Sequence, residues 1–439
     1  MRIPISMKYN NKTLPVTDND ILFHMANELN TLNNNDQKYK IDFVDWIQST
    51  ENNLYYKHGI RLPNGKVPTV GQVAADASLS TGNSSSTSAS VAEEIAAKVD
   101  EATANIYNDG WFELMSKDLY AAHERSRKAL MTGLNGGGYT TRWVQTYISL
   151  WHSLYEKFAK SMKDARTVQG GMTRLAKAYE PIIGHKVKFG VRVTKIDHED
   201  GKVSVQWKND PYDTKYNKKS FDNAIISVPF SIVRTWHLPE LPYTLRSAID
   251  NLGYSSACKV AMEFRTRFWE HYEIPIHGGC DTTDLYAGEI CYPSNNITDE
   301  GPGVMLASYS GDDAGLRFAS MTEKQHVARV LEDIVELHGD IAREQYTGNY
   351  DRVCWILDEF QSGAWASPEP GQHKLYMPSY FEINNGIVFV GEHTDIKHGW
   401  ISAALESAIR GVVMVLIEHG HVKEAKALVQ KWDAKWLKI

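Results

Sequence analysis

The sequence has no long apolar run and no large excess of one charge. Its 439 residues contain no stretch of the roughly 18 consecutive apolar residues that a transmembrane helix needs. The opening residues, MRIPIS, lack the apolar core of a signal peptide. A net charge of −7 gives no electrostatic reason to expect a nucleic-acid partner. We therefore expect neither a membrane span nor a complex with nucleic acid.

Cysteine is scarce, and its spacing indicates no metal site. The four cysteines are Cys258, Cys280, Cys291 and Cys354, and no two of them form a CxxC pair. Zinc sites and disulfide frameworks are recognised by closer or more numerous cysteines. The sequence therefore predicts buried or half-buried thiols and no bound metal.

A glycine-rich nucleotide-binding loop is also missing. No GxGxxG fingerprint occurs in the sequence. The glycines at 136–138 have helical patterns on both sides and no β-rich run before them. They therefore predict a turn between two helices and not a phosphate-binding loop.

What the sequence does contain is typical of a globular protein with mixed secondary structure. Hydrophobic residues make up 42% of the chain and charged residues 23%. The pattern turns helical from about 47 to 165, and helix-like apolar spacing occurs at 91–108, 139–162 and 321–336. Apolar runs predict strands over 187–196, 203–207, 224–228, 258–264 and 304–309, with a hairpin turn at Asp200-Gly201. The order predicts a helix-rich first part, a mixed second part and discontinuous domains.

The most informative segment is 386–411, with the sequence GIVFVGEHTDIKHGWISAALESAIRG. A buried-strand pattern ends at Gly391, Glu392 follows, and an amphipathic helix begins near Gly399-Trp400. The unpaired N–H groups of a first helical turn attract anions. The helix also carries small residues four apart, which would let another backbone or a flat ligand come close: Ala403, Ser407 and Gly411. From physics alone, the segment equally fits a strand–helix unit packed in a Rossmann-like core.

These motifs resemble the flavin amine oxidase superfamily and, within it, the L-amino-acid oxidases. Residues 386–411 are similar to its C-terminal FAD motif, and QGGMTRL (169–175) to its GGxxRL turn. SSACKVAMEFRTRFWE (255–270) resembles the strand with the family's active-site lysine, and SYSGDDA (308–314) and GAWASPEPGQ (363–372) fit as well. The opening MRIP resembles the family's MRxP element, which a GxGxxG unit should precede. Because that unit is absent, we expect the start of the protein to be missing from this sequence.

The resemblance implies catalytic and substrate-binding residues. Lys259 would hold a water near the flavin N5, where O₂ is reduced, and Trp400 would form a wall beside the substrate and the flavin ring. The substrate carboxylate would be bound by Arg2, Tyr309 and Tyr292. Each side chain also has a structural interpretation: an exposed strand face for Lys259, packing for Trp400 and the tyrosines, and a disordered end for Arg2.

The resemblance also implies FAD as the cofactor and names its ligands. The backbone of Val193 would pair with the adenine, and Glu392 would bind ribityl hydroxyls. The remaining cofactor residues lie around the predicted helix start: Gly391, Gly399, Trp400 and Ile401. An exposed carboxylate such as Glu392 more commonly faces only solvent.

The implied fold is mixed α/β. It combines an incomplete Rossmann-like domain for FAD or NAD(P), an interleaved substrate-binding sheet domain and a helical domain. We predict the substrate-binding domain at 1–45 and 251–380, the helical domain at 46–165, the FAD-binding domain at 166–250 and 381–425, and a C-terminal helix at 426–439.

Three functional hypotheses stay open at this point. The first is an FAD-dependent oxidase that converts L-amino acids and O₂ to 2-oxo acids, ammonia and hydrogen peroxide in the full-length protein. The second is a monoamine or polyamine oxidase of the same superfamily, whose substrates carry no carboxylate. The third is an inactive fragment that binds no flavin. The expected partners are an amino acid or amine and O₂. A homo-oligomer is left open, as is the choice between the cytoplasm and secretion.

Overall fold

The computed structural model of the chain describes residues 2–9, 12–80, 114, 162–369 and 371–434. The helices predicted at 91–108 and 139–162 and the turn at 136–138 lie outside these residues, apart from Met162, which begins a strand. Most of the predicted helical domain therefore lies outside as well. Its described first part, 46–80, is a mixture of short strand, turn and short helix, not a continuous helical segment.

The described strands pair mainly in antiparallel sheets. They are β1 Ile3–Tyr9, β2 Lys12–Pro15, β3 Phe43–Trp46, β4 Tyr55–Tyr56, β5 Met162–Val168, β6 Val193–Glu199, β7 Lys202–Trp207, β8 Asn217–Phe221, β9 Ala224–Ile226, β10 Tyr254–Ser255, β11 Ala257–Phe264, β12 Thr282–Thr283, β13 Gly303–Gly311, β14 Tyr346–Cys354, β15 Trp365–Ala366 and β16 Ile387–Phe389. Parallel pairing joins β9 to β16 and β4 to β12.

The described α-helices cover or connect these sheets. They are α1 Asp20–Leu32, α2 Val70–Ala75, α3 Thr173–Lys177, α4 Glu180–Ile183, α5 Phe230–Val233, α6 Tyr243–Asn251, α7 Asp312–Ser320, α8 Glu323–His338, α9 Ile341–Gln345, α10 Gln372–Tyr376, α11 Ile401–Glu418 and α12 Val422–Trp432. None of these helices combines the length and the apolar character needed to cross a bilayer.

The first sheet has the order β2-β1-β5-β3, and all its pairings are antiparallel. Its apolar face packs with α1 in a core that includes Ile3, Leu22, Leu29 and Val168. The predicted boundary at 165 falls inside β5. Because β5 pairs with β1, residues 162–168 belong to the same sheet as the start of the chain.

The central sheet has the order β13-β11-β14. Every second residue of β11 is buried, so Val260, Met262 and Phe264 face the core and Lys259 lies on the opposite face, as the alternation predicted. Helix α8 packs on the buried face, where Val330 is fully buried. A capping box at Thr322 begins this helix, because its hydroxyl accepts from the N–H of Gln325.

The antiparallel sheet β6-β7-β8 confirms the predicted hairpin. Asp200 and Gly201 have φ angles of 51° and 73°, the left-handed values that a tight two-residue hairpin turn requires. The strand predicted over 187–196 is correct only from Val193, because 187–192 forms no ladder with its neighbours. Apolar residues in that stretch are exposed instead, and Phe189 is 84% exposed.

Strand β16 pairs in parallel with β9 and is followed in the chain by the two helices α11 and α12. Ile387, Val388 and Phe389 lie beside Ala224, Ile225 and Ile226 and are buried. Residues 390–400 turn the chain from β16 into α11, the predicted helix. This strand–turn–helix unit places the N-terminus of α11 at the carboxyl end of a parallel strand, where open α/β sheets bind ligands.

All four cysteines form disulfides, so the prediction of free thiols is wrong. Cys258 is bonded to Cys354 across the neighbouring strands β11 and β14, and Cys280 is bonded to Cys291. The first pair is separated by 96 residues. The spacing of cysteines along the sequence does not show the strand pairing that brings these two together.

Candidate active site

The turn between β16 and α11 depends on Gly391. Its φ of 124° disfavours a side chain, and a Cβ there would lie 2.5 Å from the ring of His393. That ring is 2% exposed and packs edge-to-face on Phe230, with centroids 4.5 Å apart. Burial lowers the pKa of His393 to about 4, so the imidazole is neutral at physiological pH.

Glu392 fastens this turn to its surroundings. One carboxylate oxygen accepts from the N–H of Ala366 at 2.9 Å, and the other accepts from the N–H of Gly399 at 3.0 Å. Burial acts to raise the pKa of Glu392, but its hydrogen bond to His398 and the nearby imidazoles outweigh burial, so the pKa is lowered. The carboxylate thus joins β15 to the residue that precedes the N-cap of α11. The oxygen that accepts from Ala366 keeps a second acceptor position that a ligand hydroxyl could use.

The N-terminus of α11 carries no side-chain cap. Trp400 is the N-cap residue with extended backbone, and its indole makes no capping hydrogen bond to the helix. The preceding Gly399 has φ of 76° and is exposed, and the ring of Trp365 lies 3.5 Å from the position a Cβ would take there. The N–H groups of the first turn of α11 therefore lie at the same end of the helix as Trp400 and the ring of Trp365.

His398 completes this end of the helix. It is 4% exposed, and its Nδ1 lies 3.0 Å from the carbonyl oxygen of Glu392. Its Nε2 has no hydrogen-bond partner among the described residues, and neither does Nε2 of His393. Buried polar nitrogens without partners are uncommon and indicate a missing ligand or water.

Two of the small residues of α11 allow close packing against the segment that follows β16. Ser407 accepts a hydrogen bond from the N–H of Gly391 at 2.8 Å. A Cβ at Gly411 would lie 2.6 Å from a methyl carbon of Val390. At these two positions the close approach is to protein atoms, and the alternative of a flat ligand is not supported there.

Lys259 lies in an aromatic cage. Its Nζ is 4.3 Å from the ring centroid of Tyr309 and 5.3 Å from that of Trp355. Tyr309 is its direct neighbour across β13, and Trp355 follows β14. Burial lowers the pKa of Lys259, and the charge of Glu289 opposes this effect.

Two short strands, β10 and β15, connect the strand of Lys259 to the turn before the N-terminus of α11. Ser255, four residues before Lys259, pairs with Trp365 in the β10–β15 ladder. The next residue, Ala366, donates its N–H to Glu392. The segment that leads into the strand of Lys259 is thus connected to the Glu392 turn by the β10–β15 ladder and by one hydrogen bond from the backbone of Ala366 to the side chain of Glu392.

The other predicted site residues have different surroundings. Tyr292 is 1% exposed, and its hydroxyl donates to Asp281 at 2.6 Å and lies 3.0 Å from His338. This hydroxyl is committed to a buried network, which gives its substrate role no support. Arg2 is half-buried just before β1, and Val193 begins β6 opposite Trp207. Their predicted roles in substrate and adenine binding stay predictions.

Sequence reasoning missed several residues around the site. The sequence patterns assign no role to Trp355, Glu289 or His398, and Trp365 appears only inside a matching segment. The signal available for Trp365 was its position within GAWASPEPGQ, whereas Glu289 reaches the lysine only through the tertiary fold.

Comparisons with solved structures support the fold. The wild-type putrescine oxidase structure bound to putrescine aligns with a TM-score of 0.58 at 16% identity, covering 95% of this chain and 90% of that chain. Cyclohexylamine oxidase from Brevibacterium oxydans IH-35A aligns with a TM-score of 0.55 at 12% identity, covering 96% and 87%. The fold is therefore the mixed α/β fold of the flavin amine oxidases, as expected from the sequence.

The family assignment comes from the sequence comparisons. Residues 12–416 match the family model for flavin-containing amine oxidoreductases. An L-amino-acid oxidase of Neurospora crassa is 40% identical over the whole of this chain. The chain belongs to the flavin-containing amine oxidoreductase family. It spans 66% of the length of the Neurospora crassa relative.

The residues at the start of α11 fit a flavin. An uncapped helix N-terminus, a carboxylate with a spare acceptor position and Nε2 of His398, which has no partner among the described residues, form a set of polar groups suited to a conjugated polar ring. The ring of Trp365 supplies flat apolar surface beside Gly399.

Proposed function

We propose that the protein is an FAD-dependent L-amino-acid oxidase. The substrate and water are converted with O₂ to a 2-oxo acid, ammonia and hydrogen peroxide. The observation that supports this most directly is the β10–β15 ladder, which ties the caged Lys259 to the uncapped start of α11 through Glu392. The 40% identity to a relative named as an L-amino-acid oxidase favours amino acids over amines.

The cofactor contributes the redox chemistry: when bound, FAD accepts a hydride from the substrate Cα and passes the electrons to O₂. The chain contributes binding and orientation. In this proposal Glu392 accepts hydrogen bonds from the ribityl chain, and Gly399, Trp400 and Ile401 line the ring. The first-turn N–H groups of α11 stabilise negative charge at the ring edge.

Lys259 acts on the oxygen side of the reaction. Its ammonium is held between two rings and is half-buried, so it can orient one water and stabilise negative charge as O₂ is reduced. Arg2 and Tyr309 are assigned to the substrate carboxylate, and Trp400 is assigned to the wall of the substrate pocket. Such positioning lowers the entropic barrier to hydride transfer.

The test uses the recombinant 439-residue chain and, in parallel, the protein isolated from its native source. Each preparation is incubated with FAD and examined for bound flavin. Peroxide and ammonia release are then measured with L-amino acids, their D-enantiomers, monoamines and polyamines. We expect turnover of L-amino acids in flavin-containing protein. Bound FAD with no peroxide from any L-amino acid would overturn the proposal, and turnover of amines alone would support the amine-oxidase alternative.

Arg2 gives a second, sharper discrimination between substrate classes. Arg2→Met removes the planar cation that suits a carboxylate. We expect turnover of amino acids to fall by about a hundredfold, an order of magnitude typical for loss of a buried charged contact. Any slow turnover of amines should stay unchanged, because these substrates lack the carboxylate.

The two disulfides favour an oxidising compartment over the cytoplasm. Cytosolic thiols are kept reduced in most cells, whereas disulfides persist in secreted proteins. Alkylation of the protein from its native source, with and without prior reduction, tests this. All four cysteines should react only after reduction.

A further inference from the structure

The loop at 294–302, just before β13, carries a sequence motif that the proposed reaction does not use. Residues 296–298 read Asn-Ile-Thr, the acceptor pattern for N-linked glycosylation. Two further triplets of the Asn-x-Ser/Thr type, at 11–13 and 83–85, have their asparagines outside the described residues. Because such triplets also occur by chance, exposure and backbone geometry decide whether this one suits a glycan.

The two side chains that glycosylation requires lie on the outside of this loop. Asn296 and Thr298 are exposed, whereas Ile297 between them is half-buried. The side-chain amide of Asn296 forms no hydrogen bond with any described residue. An N-linked glycan is bulky and solvated, so it needs an asparagine at the surface. The arrangement meets that requirement.

The backbone presents Asn296 at a tight turn. Asn296 has a φ of 51°, a left-handed value that asparagine adopts more readily than most residues. The N–H of Asp299 donates to the carbonyl of Asn296 at 3.1 Å, which closes the turn. Asn296 therefore lies in an irregular surface turn and not within a helix or strand, where its amide would face a neighbouring element.

The loop is anchored through its main chain. Arg267 donates to the carbonyl of Asn295 at 2.9 Å and forms an ion pair with Glu270 at 2.8 Å. Glu270 in turn accepts from the N–H of Thr298 at 2.7 Å. Since these bonds use main-chain atoms of the loop, the side chains of Asn296 and Thr298 take no part in holding it. Either side chain can be replaced without removing an anchor.

The loop lies at the opposite end of the central sheet from Lys259. Lys259 pairs with Tyr309, whereas the loop enters β13 at Gly303. From Gly303 to Tyr309 the strand rises about 20 Å, at roughly 3.3 Å per residue. A glycan at the loop is therefore compatible with an open active site.

The disulfides are an independent reason to expect this loop to meet the glycosylation machinery. All four cysteines are paired, and Cys291, which is bonded to Cys280, lies five residues before Asn296. Disulfides form in the lumen of the secretory pathway. The same compartment holds the enzyme that attaches glycans to Asn-x-Thr triplets.

We propose that Asn296 is an N-glycosylation site. In the transfer, Nδ2 of Asn296 forms a bond to the anomeric carbon of an oligosaccharide carried by a lipid diphosphate. The bond between that carbon and the diphosphate breaks, the lipid diphosphate leaves, and Nδ2 loses one proton. The inference goes beyond the proposed oxidase reaction and rests on the proposed oxidising compartment.

The test uses the protein isolated from its native source. A digest is treated with peptide N-glycosidase, which releases the glycan and converts its asparagine to aspartate, and fragmentation in a mass spectrometer identifies residues 295 and 296. We expect aspartate at 296 in the treated sample only. Asn295 is the internal control, because it is adjacent and exposed but has Ile297 two residues further on, so it should stay asparagine. Asparagine at 296 after treatment, or aspartate there without treatment, would overturn the proposal.

Two variants at Thr298, expressed in the native host, separate the acceptor motif from mere exposure of Asn296. Thr298→Ser keeps the hydroxyl and should keep the glycan. Thr298→Ala leaves Asn296 in place but should lose the glycan and migrate faster on a denaturing gel. Both variants keep the main-chain contact with Glu270, so both should fold. Equal migration of the two variants would count against the proposal.

Alkylation of the same preparation distinguishes failure of this inference from failure of the compartment on which it rests. Paired cysteines with an unmodified Asn296 would reject glycosylation and keep the oxidising compartment. Free thiols with an unmodified Asn296 would reject both. The oxidase proposal is judged separately, because peroxide release from L-amino acids requires neither the glycan nor the disulfides as a readout.

Discussion

Two lysines of this protein, one fully buried and one half-buried, have opposite environments. Lys397, in the turn before α11, is fully buried and forms ion pairs with Asp18 and Glu406. Burial acts to lower its pKa, but the charges of these carboxylates outweigh burial and raise it. Lys259 lies near two rings and has no ion pair within 4.0 Å among the described residues, and burial lowers its pKa. The first lysine is fixed in the fold by two carboxylates, whereas the second is the one to which the proposed function assigns chemistry.

The largest expected effect is the loss of stability in Lys397→Met. The change removes the cation from the carboxylate of Asp18, which is 3% exposed and keeps the hydroxyl of Ser402 as a donor. Removing the opposite charge from a buried ion pair costs about 3–5 kcal/mol. Urea unfolding should show this loss, and Lys259→Met should change the unfolding free energy by less than about 1 kcal/mol. Equal losses in the two variants would remove the distinction between the lysines.

For activity we expect the opposite order, with a specific catalytic defect in Lys259→Met. Under the oxidase proposal, Lys259→Met should slow reoxidation of the flavin by O₂ by about a hundredfold or more, because a positioned positive charge is lost. Reduction of the flavin by substrate should change little. Stopped-flow measurement of the two half-reactions separates these steps. Slowing of the substrate step alone would place Lys259 on the wrong side of the reaction.

The contrast between the lysines also marks what the sequence could and could not predict. Strand β11 and helix α11 follow from local apolar spacing, and the motif resemblance identified Lys259 and the Glu392 turn. The pairing of Cys258 with Cys354 did not follow, because 96 residues separate them and only the β11–β14 ladder brings them together. Glu289 was missed for the same reason.

Tyr292 illustrates a second limit of sequence reasoning. A tyrosine in a strand-rich segment offers a hydroxyl, and sequence pattern alone does not tell which way that hydroxyl points. In the structure it lies in the core beside Asp281, whose burial raises its pKa to about 7. Burial and hydrogen-bond partners depend on the packed structure. The resemblance could therefore suggest Tyr292 as a site residue, but the sequence could not predict where its hydroxyl lies.

Alkaline pH should separate the two lysines by the sign of its effect on stability. The folded-state pKa of Lys259 lies below its ordinary value of 10.5, so the unfolded chain binds more protons in that window and this group makes stability rise with pH. Lys397 has a raised pKa, so its contribution is present below 10.5 and is lost as the pH rises further. Urea unfolding of the wild type and Lys259→Met, from neutral pH to 10.5, should differ by at most about 1.4 kcal/mol per pH unit. Parallel curves would show that Lys259 has an ordinary pKa.

The smallest expected effect tests the cage itself. Trp355→Leu removes one ring from Lys259 and should cost about 1 kcal/mol beyond the packing loss, the upper end of the range for a cation–π contact that keeps some solvent. A double-mutant cycle with Lys259→Met isolates that part, because the packing loss occurs in both backgrounds. The pair of the exposed Lys188 and the half-buried Trp207, with Nζ 4.6 Å from the ring, is the matched comparison and should show a smaller coupling of about 0.5 kcal/mol. If the two coupling free energies are equal, burial adds nothing to the attraction between Lys259 and its aromatic cage. The cage would then be an ordinary surface contact and not a site that holds an ammonium group.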